Sequence, residues 1–359
     1  MKKLIHVAVV LLIISTMTAC VNTSETEEVV TQETATQEVA EEVEEVVEVV
    51  EEESVQEDPA DVRVVGLKGT TTMGLVGFMD WVDAGVEYDN NYTFSMITAI
   101  DEVTAMLAKG EVDIAAVPAN LASVLYANTD GGVQVIALNT LGVLYVVENG
   151  ESVTDIESLR GKTIVASGKG STPEMALRYV LLENGIDPDT DVTIEWKTEQ
   201  SECLAYVTAN EGAIAMMPEP FVTTALLANE AVNVRLDLTE EWDATQVDSD
   251  NPSSLITGVM VVRTEFAEEH PEALGEFMEH YVESVTFVNS DVEAAASLVE
   301  YYEITTYETA VAAIPNCNIV CIAGEEMKTA LEGYLTVLFE QNETSVGGSM
   351  PADEFYYIP

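Results

Sequence analysis

The sequence predicts an α/β chain of two βα halves joined by two crossings, with a helical C-terminal part. Three observations carry that prediction. Short β-branched and apolar runs alternate with segments of helical periodicity from residue 62 to residue 236. Two of those runs, at 62–67 and 163–166, feed glycine-containing turns that open helices. A late β-type run, LITGVMVV at 255–262, follows the second βα series, so the chain leaves its first half near Leu144 and returns near Leu255.

Taken in order, the chain opens with Lys2 and Lys3, an apolar core over 4–14 and the small-residue exit STMTAC at 15–20. That is the layout of a secretory signal, and its apolar run is shorter than the ~20 residues of a bilayer span. MTAC at 17–20 resembles the bacterial lipobox, which implies that Cys20 is lipidated and becomes the mature N-terminus. From 21 to 60 the composition shifts to Glu, Val, Thr and Gln. Like charges at i,i+4 and β-branched residues oppose a helix there, so an acidic, disordered tether is expected. The fold is then expected over 61–359, with 61–144 and 255–359 as lobe one and 145–254 as lobe two. Residues 144–148 and 255–260 are expected to be the hinge crossings.

Of the 65 acidic residues, 50 lie in 61–359 against 11 of the 13 lysines and arginines, a net charge near −39. A surface of that sign repels nucleic acid and anionic membranes, and neither is expected as a partner. An acidic coat of the kind that suits high salt explains it. A calcium-loaded surface fits less well, since no D-x-[DN]-x-[DN]-G loop occurs, and no metal or cofactor is expected.

Within lobe one, strands are expected at 92–98, 112–117 and 133–138, and helices at 73–82, 100–109 and 121–127. Lobe two adds strands at 163–166, 192–196, 213–217 and 232–236, with helices from 175, at 202–209 and at 221–228. The remainder after 262 reads as all helical, over 271–289, 292–302, 306–313 and 325–341. The sheets are expected to be mixed and mainly parallel.

The turns hold the candidate chemistry. In TIVASGKGSTPE at 163–174, Gly168, Lys169 and Gly170 break the strand, Ser171 or Thr172 can cap the next helix, and Pro173 suits its first turn. Such a helix N-terminus offers backbone N–H groups to an anion or a polar ligand. KGTTT at 68–72 repeats the construction, and Thr70, Thr71 and Thr72 add three hydroxyls where capping needs one. A nucleotide P-loop is excluded, because Ile156 stands where the first glycine before Gly161-Lys162-Thr163 belongs; no dinucleotide fingerprint follows the first strand either. Asn120 opens a helix as a cap or as a ligand contact. Glu219, between Pro218 and Pro220, is a surface charge or an acceptor for an amine or ring N–H. No arginine lies in these turns, which argues against bidentate capture of a carboxylate or sulfonate.

KGTTTMG at 68–74, GEVDIAAVPAN at 110–120, GKGSTPE at 168–174 and PEPF at 218–221 together resemble the substrate-binding proteins of ABC importers. The branch is that of sulfonate, nitrate, taurine and thiamine-pyrimidine binders, and the resemblance spans nearly all of 61–359. It implies a two-lobed type II periplasmic-binding fold that closes on a small solute and delivers it to an ABC permease and its ATPase. By position it implies Thr70, Thr71, Thr72, Met73, Asn120, Gly170, Ser171, Thr172 and Glu219 as ligand-facing residues. The solute classes it leaves open are sulfonate, nitrate-like and heteroaromatic amine. A lipid-anchored monomer on the outer face of the cytoplasmic membrane follows.

An enzyme of pyrimidine-precursor type or a solute sensor in the same cleft is the alternative. Beyond His6 the chain has only His270 and His280, both in helical segments, and no cluster of histidines and cysteines to support such chemistry. Cys203 is expected to be buried and inert. Cys317 and Cys321 could pair only across a turn, since four residues of strand would hold their Cα atoms ~13 Å apart.

Overall fold

The computed structural model describes residues 58–247 and 252–359; the signal, Cys20 and the tether as far as residue 57 lie outside the described residues. The fold starts before 61, because the backbone of Ala60 is already tied to Asn90 and Asn91 and its side chain is buried. The chain then runs β1 (Asp61–Leu67), α1 (Thr70–Met73), α2 (Val76–Asp83), β2 (Asn91–Ile97), α3 (Ile100–Ala108), β3 (Ile114–Pro118), α4 (Ala119–Asn128) and β4 (Val133–Leu141). It crosses to β5 (Leu144–Asn149), β6 (Thr163–Ser167), α5 (Thr172–Glu183), β7 (Thr193–Lys197), α6 (Gln200–Ala209), β8 (Ile214–Pro218), α7 (Phe221–Ala228), β9 (Val232–Asp237) and α8 (Leu238–Thr245). It returns as β10 (Ile256–Arg263), α9 (Thr264–Glu269), α10 (Pro271–Ser290), α11 (Val292–Tyr301), α12 (Tyr307–Ala313), β11 (Ile319–Ile322) and α13 (Gly324–Gln341).

One sheet has six strands in the order β11-β4-β10-β3-β1-β2; the other has five, in the order β7-β6-β8-β5-β9. Neither is mainly parallel. β1 runs parallel to β2 and β3, but β10 is antiparallel to β3 and β4, and β11 is antiparallel to β4. In the second sheet β6 is parallel to β7 and β8, while β5 is antiparallel to β8 and β9. Part of the cause is the return crossing, which brings β10 in between β3 and β4, antiparallel to both.

The crossings differ from those expected. Residues 144–148 lie within β5 and 256–260 within β10, both interior strands fixed by pairing on two sides. The first link between sheets is instead Gly142-Val143, and the return runs from Thr245 to Ile256. Glycine is required at 142, since a Cβ there would stand 2.2 Å from the Thr239 hydroxyl oxygen. The part after 262 is not all helical either. β11 is a four-residue strand at the sheet edge, and Tyr356 bridges to Val135. Two short helices, α8 and α9, were not expected.

One continuous apolar core takes residues from both sheets, including Val117, Leu138, Ile164, Leu177, Met216 and Leu335. Where the halves meet on one flank, Trp242 of α8 stands 4.2 Å (ring centroids) from Tyr179 of α5 and 5.6 Å from Tyr334 of α13. Cys203, Cys317 and Cys321 are free thiols, and Cys203 is buried in α6 as expected. Among the described residues no helix is long and apolar enough to cross a membrane.

Candidate functional site

The carboxyl ends of four parallel strands supply the candidate site. β1 ends at Leu67 before the threonine turn, β3 at Pro118 before Asn120, β6 at Ser167 before the glycine turn, and β8 at Pro218 before Glu219. Strand ends of this kind leave backbone groups and the first helical residues free to face a crevice. Here two seams form where the sheets meet.

At the first seam, the Thr70 hydroxyl donates to the Glu219 carbonyl across 2.6 Å. Thr70, Thr71 and Thr72 do not precede a helix as expected; they form the short helix α1, which Gly74 separates from α2. Their geometry bends two of the hydroxyls inward, so that Thr71 and Thr72 both donate to the Leu67 carbonyl. Met73 is fully buried in the core of the six-stranded half, with its sulfur 3.9 Å from Cys317 Sγ.

Glu219 is only 3 % exposed. It stands one residue before Pro220, which caps α7, and its carboxylate folds back over the first turn. Thr223 donates to it from its backbone N–H (3.1 Å) and from its hydroxyl (3.0 Å). Burial pushes its carboxyl pKa above the usual carboxylate value, and the two Thr223 hydrogen bonds offset this only in part. Glu219 and Thr223 line a cavity of about 400 Å³ with Tyr145 and Asp237 of the neighbouring strands, the Leu226 side of α7 and Asn316 from the other half. Tyr145 and Asp237 face each other in the β5–β9 register. The Tyr145 hydroxyl is held protonated, first by burial and then by the Asp237 and Glu219 charges.

At the second seam, Asn120 is fully buried and acts neither as a cap nor as a free side chain. Its amide donates to the Ser345 carbonyl (3.1 Å) and the Gly170 carbonyl (3.4 Å), and its oxygen accepts from the Thr172 hydroxyl (3.3 Å). The Tyr334 hydroxyl reaches Thr172 from α13. Ser171 turns its hydroxyl back to the Gly168 carbonyl. The Gly170 N–H is taken by the Glu174 carboxylate at 2.7 Å, so the anion at this turn belongs to the protein itself.

A sequence profile described as the phosphonate periplasmic substrate-binding protein of ABC transporters matches residues 71–312, about two thirds of the chain. The chain belongs to this family. No curated protein sequence matches it. Among solved structures it is similar to an ABC transporter protein from Parabacteroides distasonis, at 20 % identity and a TM-score of 0.66, covering 84 % of this chain and 99 % of that one. It is also similar to the aliphatic sulphonate binding protein SsuA from Escherichia coli (16 %, TM-score 0.67, 84 % and 93 % covered). A third similar structure is the nitrate-binding protein NrtA from Synechocystis PCC 6803 (12 %, TM-score 0.56, 79 % and 82 % covered). At these identities the likeness shows the fold, which is the two-sheet periplasmic-binding-protein fold expected from the sequence.

In this substrate-binding protein the residues picked from the sequence fall into three groups. Thr70 and Glu219 meet at one seam, while Asn120, Gly170 and Thr172 meet at the other. Thr71, Thr72 and Ser171 spend their hydroxyls locally, and Met73 belongs to the core. Sequence reasoning missed Tyr145, Thr223 and Asp237. Thr223 lies four residues after Glu219, the spacing that brings a side chain onto the first helical turn. Tyr145 and Asp237 sit on strands far apart in sequence, and their adjacency is a product of register alone.

Proposed function

We propose that this family member is an extracytoplasmic solute receptor. It holds a small polar organic molecule between its two lobes, bounded as 61–144 with 255–359 and 145–254, and delivers it to an ABC permease. The observation that supports this best is the convergence of four strand ends, two from each sheet, on seams that join residues more than a hundred positions apart, as Thr70 does with Glu219. The ligand-facing set is drawn from Thr70, Asn120, Gly170, Thr172 and Glu219. The chain binds its solute without turning it over.

In this reading the protein is held at the outer face of the cytoplasmic membrane by lipid on Cys20 and acts as a monomer. One acyl chain gives only reversible anchoring, so stable attachment rests on multiple acylation at that residue. The test has two arms. Small molecules released on denaturing the full-length protein, after incubation with spent growth medium, are identified by mass spectrometry; one solute at a stoichiometry near one supports the receptor, and none overturns it. Cys20→Ala should release the protein from membranes, and unchanged fractionation with normal signal cleavage overturns the anchor.

A further inference from the structure

We infer that the solute taken by the Glu219 cavity is a compact organic cation with an apolar body. This rests on the receptor reading and adds the sign of the ligand's charge. Three carboxylates are buried among the described residues, namely Asp113, Glu148 and Glu219. The low-polarity interior makes an uncompensated charge costly, so each needs a partner or must take up a proton. Asp113 has two: Arg63 binds it through Nε (2.8 Å) and Nη2 (2.7 Å), and Arg263 through Nη2 (3.1 Å). Glu148 has Arg235 at 3.6 Å, together with donors from Ser152 and Val153. Among the described residues Glu219 has no cation beside it. Thr223 supplies one donor to each oxygen, which leaves acceptor capacity on both.

That carboxylate lines a cavity large enough for a small ligand, and the lining contains no lysine, arginine or histidine. Asp237, whose carboxylate also accepts from the Thr239 N–H at the start of α8, adds a second acidic residue to the lining, and Tyr145 adds an aromatic one. Leu226 and Val234 provide an apolar wall for the ligand's body. Several of the groups from which an anion would be held are otherwise engaged. Glu174 occupies the Gly170 N–H, and the threonine hydroxyls of α1 are bonded within the protein. Lys68 and Lys169, the basic residues of the two turns, are exposed and lie outside the cavity lining. The charge complement missing from this protein is therefore positive, although the family description names phosphonate.

The test is titration calorimetry of the full mature chain with tetramethylammonium, n-butylammonium, methylphosphonate, ethanesulfonate and 2-aminoethylphosphonate. Native mass spectrometry of the protein isolated from its own source runs beside it. An ammonium probe is expected to bind, with affinity falling roughly ten- to a hundredfold in Glu219→Gln, the loss expected for a hydrogen bond to a charged group. The exposed control Glu268→Gln should match wild type, which separates the site from general attraction to an acidic surface. Tighter binding of either anion or of the zwitterion, or equal affinities for wild type and Glu219→Gln, overturns the cation while leaving the receptor standing. If no probe binds, the copurified molecule decides: a cation supports the inference, and an anion, zwitterion or neutral solute overturns it. Failure of every probe together with an empty protein overturns the receptor reading as well.

Discussion

Glu219 and the other two buried carboxylates titrate in opposite senses. Burial raises the Glu219 carboxyl, so the native state binds the proton more tightly than the unfolded chain does. The stability from that proton is complete below the ordinary value of 4.5 and is lost as pH rises through the raised native one. Asp113 is also penalised by burial, but its bonds to Arg63 and Arg263 outweigh this and hold it below its ordinary value. Glu148 is likewise lowered, by Ser152, Val153 and Arg235 acting against burial. Their contribution is present above the ordinary values and is lost as pH falls through the native ones. Glu219→Gln should therefore melt higher than wild type near neutral pH, with the gap narrowing as pH falls through the raised native value, where wild-type Glu219 gains its proton, and closed below the ordinary value of 4.5. Calorimetric scans across pH 4–8 without added solute check this, and a gap independent of pH refutes it. Gln is a fair isostere, since its oxygen can accept from the Thr223 N–H and its NH₂ can donate to the Thr223 hydroxyl. At this scale the sequence was readable where local chemistry is unusual, as in a carboxylate between two prolines at a strand end. It was silent where a contact depends on register, as for Tyr145 and Asp237.

Among elements, β10 does most to set the geometry, because it is the strand that returns the chain to the middle of the six-stranded sheet. Its Gly258 pairs with Pro118 on one side and Thr140 on the other. A Cβ added there would lie 2.4 Å from Asn139 Oδ1 and 2.6 Å from Thr71 Cγ2. Asn139 is buried and its amide bonds the Thr71 carbonyl, so it cannot move aside freely. Gly258→Ala should destabilise by ~1–3 kcal/mol, the usual range for overpacking a filled interior. Urea unfolding measures it, and a loss below about 0.5 kcal/mol would show that α1 gives way instead. The sequence marked β10 clearly, since eight largely β-branched residues bounded by polar stretches have few other readings. β11 was missed because four residues, Ile319 to Ile322, are too few to establish a period. The hinge was misplaced for a related reason: an apolar run reveals that a strand exists, but not which two neighbours it joins. Gly142, with no side chain to read, gave no sign that it is the crossing.

Over the whole molecule, charge is the dominant fact. The net charge near −39 on the folded part leaves few counter-ions within the chain. Eight of the eleven lysines and arginines are already committed to ion pairs. Self-repulsion of this size is screened by salt over a Debye length that shrinks from about 10 Å at 0.1 M to about 3 Å at 1 M. Melting temperature should rise with potassium chloride over that range without solute, and a flat profile refutes the assignment of the acidic coat to a saline surface. Composition made this legible at once, and the two-half layout was legible from the order of runs. What composition could not convey is how tightly the halves are joined. Trp242 is fully enclosed, with one tyrosine from its own half and one from the other against its ring. A separation of the sheets that parts α13 from α8 would lift Tyr334 away and admit water to that indole, shifting its emission to the red. Trp242 emission is therefore the label-free readout of such an opening, and Trp81 and Trp196 can be replaced by Phe to silence the background.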